Sequence, residues 1–231
     1  NGSKIFITNA GKADIYCIFA MTDRSKGNHG ISCFILEKGM KGFDFGIAED
    51  KMGIHASSTR ELIFNNVRVP KENLVGKEGK GFGIAMGTLD GGRIGIAAQA
   101  LGIAQGALDI AKDYVKERKQ FGRPLAKFQN TQFKLAEMEI EVQAARLLVY
   151  RAAMAKDTQK RYSVEAATAK LKAARVASWV TNRAVQLLGG YGYMVDYDVE
   201  RMMRDAKITE IYEGTSEAVS YTHLTLPTTP Y

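Results

Sequence analysis

Near the C-terminal end, Tyr212-Glu-Gly-Thr215 sets one carboxylate beside a glycine and a hydroxyl. Glycine lets backbone or ligand come close, and the chemistry open to a lone carboxylate is acid–base. The run before it, from Arg204, has helical character. Thr215 and Ser216 are suited to cap a following helix, whose free N–H groups attract anionic or oxygen-rich ligands. On these residues alone, Glu213 reads first as an ordinary solvated loop carboxylate, with a base the alternative.

Four other segments carry residue types of the same interest, each with a plain structural alternative. Lys4-Ile-Phe-Ile-Thr8 presents an aromatic ring and a hydroxyl, or is simply a strand end. Leu89-Asp-Gly-Gly-Arg93 precedes the first long helical pattern, where Asp90 suits a helix N-terminus. Glu117-Arg-Lys-Gln-Phe-Gly-Arg-Pro124 closes that pattern, and its cations either offset the helix dipole or offer a planar fork to phosphate. Gln186-Leu-Leu-Gly-Gly-Tyr-Gly192 is a glycine helix stop, or a place where backbone meets a ligand. Gly76-Lys-Glu-Gly-Lys-Gly81 lacks the Lys-Ser/Thr of a phosphate-binding loop and reads as a domain joint.

The elements that must position these residues fall into two parts. Apolar, β-branched and aromatic runs at 4–8, 15–20, 30–36 and 60–69 predict strands, and Pro70 ends the last of them. From about residue 82 the period becomes helical. Leu101, Ala104, Leu108, Ala111 and Val115 share one face, as do Leu135, Met138, Val142, Ala145, Val149 and Ala152. Leu171, Ala174, Ser178, Thr181, Val185 and Leu188 form a third stripe, rich in small residues that permit close helix approach. Pro124 separates the first helix from the second. Strands followed by helices predict an α+β chain: a truncated β-barrel or sheet domain over 1–75, an all-α four-helix bundle over 76–217, and a foreign-looking tail over 218–231. The prolines and threonines of that tail argue against a helix there. There is no internal repeat.

Composition narrows the class. The chain has 231 residues, 45% of them hydrophobic, and a net charge of +7. The charge is spread over helix faces, without the aromatic–basic interleaving of nucleic-acid binders, so nucleic acid is not an expected partner. No run of eighteen apolar residues predicts a membrane span. Asn1 begins directly in strand sequence, with no signal-peptide pattern. Cys17 and Cys33 sit in apolar runs and are expected as buried thiols, and no Cys/His spacing predicts a metal site.

Taken together, in order and spacing, these segments resemble the acyl-CoA dehydrogenases, specifically the short-chain, butyryl-CoA dehydrogenase-like bacterial members. The resemblance covers residues 1–217. It implies an FAD-dependent oxidation of a short-chain acyl-CoA to a trans-2-enoyl-CoA, with Glu213 removing the α-proton while flavin N5 accepts a hydride from the β-carbon. Tyr212 and Gly214 would line the thioester, and Asp90, Gly91, Gly92 and Arg93 would lie along the acyl-CoA. Some branched-chain and long-chain members carry their base at the position of Gly92 instead; here that position is empty of a carboxylate and the later one holds Glu213.

The cofactor contacts follow from the same resemblance. Phe6, Ile7 and Thr8 would meet the flavin ring. Arg118, Gln120, Phe121, Phe128 and Gln129 would meet the dinucleotide of a neighbouring subunit, with simple core positions the alternative for the two phenylalanines. Gln186, Leu187, Leu188, Gly189 and Gly190 would meet the adenosine half, and Thr215, Ser216 and Glu217 would lie near the cofactor. The implied partners are acyl-CoA, an electron-transferring flavoprotein and further copies of the chain in a dimer of dimers that shares FAD across an interface, in a bacterial cytoplasm. Family members begin upstream of Asn1 and continue differently after Glu217, so the chain is expected to be a C-terminal fragment, inactive by itself. An acyl-CoA oxidase, and a non-catalytic nucleic-acid-binding or scaffold member of the same fold, are the alternatives.

Overall fold

The computed structural model describes residues 1–224. They divide into two compact units, the first Asn1–Thr88 and the second beginning at Leu89. The first unit is built from β1 (Gly2–Thr8), β2 (Ile15–Met21), β3 (Ile31–Glu37), β4 (Phe43–Ala48), β5 (Thr59–Phe64) and β6 (Leu74–Val75). Among the described residues these form two antiparallel three-stranded sheets, in the orders β1-β5-β4 and β2-β3-β6, rather than a closed barrel. Tyr16, Ile18, Leu36, Phe43 and Leu62 supply the core. Phe43 stacks on Phe64 and meets Tyr16 edge-on, each at 5.2 Å between ring centres.

Alternation along β2 decides the fate of the cysteines. Tyr16 and Ile18 point inward, so Cys17 between them is exposed, which corrects the expectation of two buried thiols. Cys33 is buried, and burial pushes its thiol pKa up. The fourth sequence-predicted strand stops at Phe64 instead of residue 69, because Asn66 takes a left-handed conformation (φ 51°). β4, interrupted by Asp44 and Gly46, has weak strand character in sequence and was not foreseen. In β1 the pairing with β5 slips between Lys4 and Ile7. Three residues there span what two span on the partner, and Phe6 takes up the extra one at φ 57°.

The second unit is helical. α1 (Gly81–Glu117) crosses the division and is followed by a small hairpin, β7 (Lys119–Gln120) and β8 (Arg123–Pro124). Then come α2 (Gln129–Thr158), α3 (Ser163–Leu188), α4 (Val199–Ile208) and α5 (Ser216–Leu224). α1 already ends at Glu117, so the hairpin rather than Pro124 breaks the first helix from the second. α1 through α4 share one core, to which Leu108, Met138, Val142, Ala177, Val180 and Val199 all contribute with no exposed surface. By length and composition alone α1 is apolar enough to cross a membrane, and its face from Ala97 to Ala111 lies in this core. Gly189 ends α3 in a left-handed conformation (φ 60°). Gly192 admits the Val185 carbonyl, which would stand 2.5 Å from a β-carbon there.

Two expectations change. Leu89-Asp-Gly-Gly-Arg93 lies inside α1 rather than ahead of it, so Asp90 does not cap a helix. The segment after Glu217 is helical as far as Leu224. Its first proline is Pro227, Thr215 accepts the N–H of Ala218 at 3.3 Å as a cap, and Val219 is fully buried. The rest of the expected tail, 225–231, lies outside the described residues.

Because Leu108 sits in the shared core with no exposed surface, Leu108→Ala should lower the stability of this helical unit by about 2–5 kcal/mol. Urea denaturation followed by circular dichroism reads this as a lower midpoint.

Candidate active site

The chain leaves α4 at Ile208 and turns sharply before α5. Glu213 (φ 54°) and Gly214 (φ 97°) are both left-handed. That conformation costs a glutamate free energy, and it persists only where its surroundings over-determine it. Here they do. Arg93, from α1, donates from Nε to the Glu213 carbonyl at 3.2 Å, and Lys170, from α3, donates from Nζ to the Gly214 carbonyl at 2.5 Å. The Ser216 N–H returns to the Glu210 carbonyl at 2.9 Å, and the Tyr212 hydroxyl bonds Gln99 Oε1 on α1.

This turn delivers the Glu213 carboxylate onto α1 at Gly92. A β-carbon on residue 92 would stand 2.5 Å from Glu213 Oε2 and 2.9 Å from Cδ, so the absent side chain is the space the carboxylate fills. The group is half-buried. Burial raises its pKa above the ordinary 4.5, against the opposing pull of Arg93 and Lys170. Arg93 is held in turn by Asp90, 3.5 Å away, and Asp90 accepts the Ser163 hydroxyl. The carboxylate of Asp90 is thus committed to Arg93 and Ser163. Burial also raises the Tyr212 phenol, against its bond to Gln99.

Asp90, Gly91, Gly92, Arg93, Tyr212, Glu213 and Gly214 therefore come from two distant stretches of sequence to one place. Thr215, Ser216 and Glu217 follow directly as the cap and first turn of α5. Gln99, Ser163 and Lys170 belong to the same constellation and were missed. The available signal was Lys170 itself, a lysine in register with the buried Ala166, Ala173 and Ala177.

A second grouping lies elsewhere in the helical unit. Arg118, Gln120, Leu187, Leu188, Gly189 and Gly190 line a cavity of about 540 Å3 with Tyr114 and Tyr191. Arg118 lies 5.2 Å from the centre of the Tyr191 ring. Phe121, at the hairpin tip, is left-handed (φ 52°) and 92% exposed. Its ring centre is 6.3 Å from that of Phe128, over which Arg123 stacks at 4.2 Å. Gln129 and Gln186 are exposed and do not line this cavity. In the β unit, Ile7 and Thr8 line a separate cavity of about 460 Å3, while Phe6 is 67% exposed. Among the described residues no cluster of His, Cys, Asp and Glu has the makings of a metal site.

Comparison with known proteins gives a consistent result. Residues 79–220 match the family model "Acyl-CoA dehydrogenase, C-terminal domain", and residues 1–67 match "Acyl-CoA dehydrogenase, middle domain". "Acyl-CoA dehydrogenase, short-chain specific" of Clostridium acetobutylicum is 66% identical over 217 residues, which are 94% of this chain and 57% of that protein. The solved butyryl-CoA dehydrogenase of Megasphaera elsdenii superimposes with a TM-score of 0.95 at 62% identity, covering 96% of this chain and 58% of the other. A chain in the structure described as the electron transferring flavoprotein of Acidaminococcus fermentans gives 0.96 at 63% identity, covering 97% and 59%. The chain thus spans somewhat more than half the length of the relatives it matches.

The group that meets a β-carbon at position 92 is the far end of a flexible side chain. Gly92→Ala should therefore change stability by no more than about 1 kcal/mol while displacing the Glu213 carboxylate. A crystal structure of the variant with the carboxylate unmoved would contradict this.

Proposed function

Because the chain belongs to the acyl-CoA dehydrogenase family, we propose that the protein it comes from oxidises the Cα–Cβ bond of a short-chain acyl-CoA, with Glu213 as the base that removes the α-proton. One observation carries this reading: the carboxylate stands half-buried against Gly92, with its pKa raised by burial. An α-proton beside a thioester is only weakly acidic, so the base must be stronger than a solvated carboxylate. Burial supplies that strength, and Arg93 and Lys170 pull in the opposite direction, toward the ionised form. The Glu213 backbone N–H is the donor we assign to the thioester carbonyl, where it would stabilise developing enolate charge. Tyr212 and Gly214 flank that position.

The residues around Arg118 fit a dinucleotide. A planar cation, two aromatic rings and the bare backbone of Gly189 and Gly190 share one cavity, and the space where β-carbons of those glycines would stand is open. Arg118 would hold the pyrophosphate of an FAD belonging to a neighbouring subunit, and Phe6, Ile7 and Thr8 would meet a flavin ring. FAD, when bound, supplies hydride acceptance. The Clostridium relative supports a short-chain substrate. The Acidaminococcus structure supports an electron-transferring flavoprotein as partner.

Self-association is supported by α2. Phe133, Ile140, Leu147 and Met154 recur every seven residues and are 59%, 67%, 69% and 67% exposed, a line of apolar side chains along the helix. A second copy of the chain is the occupant we assign to it.

Two outcomes are expected of the full-length, FAD-loaded protein. Anaerobic butyryl-CoA should bleach the flavin band, and Glu213→Gln should slow bleaching by about 100- to 10,000-fold with the flavin retained. The base works ionised, so the rate should fall as pH drops through a value above the ordinary carboxylate 4.5. Separately, Ile140→Glu combined with Leu147→Glu should reduce the mass measured by light scattering. An unchanged mass would remove α2 from the interface.

A further inference from the structure

Lys170 is fully buried, on a stretch of α3 where Ala166, Ala167, Ala173 and Ala174 are also fully buried. An ammonium in such surroundings is costly, and an apolar side chain of similar length would stabilise the bundle better. Its place therefore calls for a reason other than stability. The Nζ donates to the Gly214 carbonyl, one peptide beyond the carbonyl that Arg93 holds. Two cations from two helices thus grip consecutive carbonyls of a turn in which both residues are left-handed. The other bonds of the turn, from the Ser216 N–H to the Glu210 carbonyl and from Tyr212 to Gln99, act on its flanks and not on these two carbonyls.

We propose that Lys170 is a positioning residue, which by clamping the Gly214 carbonyl holds the Glu213 turn so that its carboxylate stands over Gly92. The role rests on Glu213 being the base. The ammonium has a second consequence through its charge. It faces Arg93 from α1, Glu210 and Glu213 from the turn, and Glu217 from α5. Desolvation, then Arg93, brings its pKa down to about 8, so it is still largely cationic at neutral pH and holds the neighbouring Glu213 below the value that burial alone would give.

Two variants of the full-length, flavin-loaded protein separate the hydrogen bond from the charge. Lys170→Met removes both. It should lower kcat for butyryl-CoA by about 10- to 100-fold, the size of a hydrogen bond made by a charged group, with little change in KM. It should also move the acid limb of the pH–rate profile upward, because a carboxylate that loses a nearby cation ionises at higher pH. Lys170→Gln keeps a donor without charge. It should recover most of kcat and retain the shifted limb. Wild-type kcat and an unshifted limb in a flavin-loaded Lys170→Met protein would overturn the proposal. Should that variant fail to fold, wild-type kcat in Lys170→Ala, which also removes the donor, would do the same. If the wild type itself is not bleached, the functional reading fails instead. The positioning role is then decided by the crystal structure of Lys170→Met, or of Lys170→Ala where the Met variant does not fold. A Glu213 carboxylate still over Gly92 counts against the role, and a displaced one supports it.

Discussion

A carboxylate withdrawn from water is the constraint around which the helical unit is arranged. Glu213 is half-buried, and an unpaired buried charge is among the most expensive things a fold can contain. Cations near it relieve that cost, but they are themselves sheltered and need partners. Arg93 finds Asp90, and Asp90 finds Ser163. Lys170 finds the Gly214 carbonyl. The result is a polar cluster drawn from α1, α3 and the turn after α4. Its bonded members are separated in sequence by up to 120 residues, as in the bond from Arg93 to Glu213. The bundle must bring those helices together reproducibly for the cluster to exist.

Small residues make that approach possible. The core of α1 through α4 is dominated by alanines, among them Ala97, Ala100, Ala104, Ala107, Ala145, Ala173 and Ala177, all fully buried. Backbones that meet across alanine approach more closely than across leucine, so the side chains that do reach between helices are placed within narrow limits. Gly92 takes this to its end: no side chain at all, and a carboxylate in its place. A helix interior is a poor place for two adjacent glycines, which cost about 0.5–1 kcal/mol each relative to alanine. α1 nonetheless runs unbroken through Gly91 and Gly92, supported on either side by a long helix.

Periodicity made the long helices legible. The stripes from Leu101 to Val115 and from Leu135 to Val149 are buried or nearly so because burial is what such a period encodes. The third stripe was less decisive. α3 is the central helix, buried over much of its circumference, so a single stripe understates it and conceals Lys170 among the alanines. β4 escaped because Asp44 and Gly46 weaken its strand pattern, and the end of β5 was misplaced because the turn at Asn66 depends on tertiary contacts. In the site, Glu213 and its neighbours were legible as a motif. The opposition of Gly92 to Glu213, the grip of Arg93 and Lys170 on successive carbonyls, and the Tyr212–Gln99 bond were not. Each joins residues whose proximity exists only after the bundle has formed. The joining of Arg118 with Gly189 and Gly190 in one cavity has the same character.

Backbone strain ties the two groupings together. Among the described residues, six other than glycine have positive φ: Phe6, Asn9, Ile54, Asn66, Phe121 and Glu213. Asparagine tolerates that region, so Asn9 and Asn66 need no special account. Three of the remaining four, Phe6, Phe121 and Glu213, are residues to which the family resemblance assigns contact with cofactor or substrate. Phe6 and Phe121 are also largely exposed, which is unusual for a phenylalanine. A bulky side chain forced into an unfavourable backbone conformation, with its ring left in solvent, contributes little to the fold that holds it. Strain of that kind persists where the direction of a side chain matters more than its own stability. At Glu213 the means of holding it are visible, two cations on two carbonyls. At Phe6 it is the bulge against β5, and at Phe121 the tip of the β7–β8 hairpin. Each device holds a residue out of the regular backbone conformation of its neighbours, and so frees its side chain from the register those neighbours would impose.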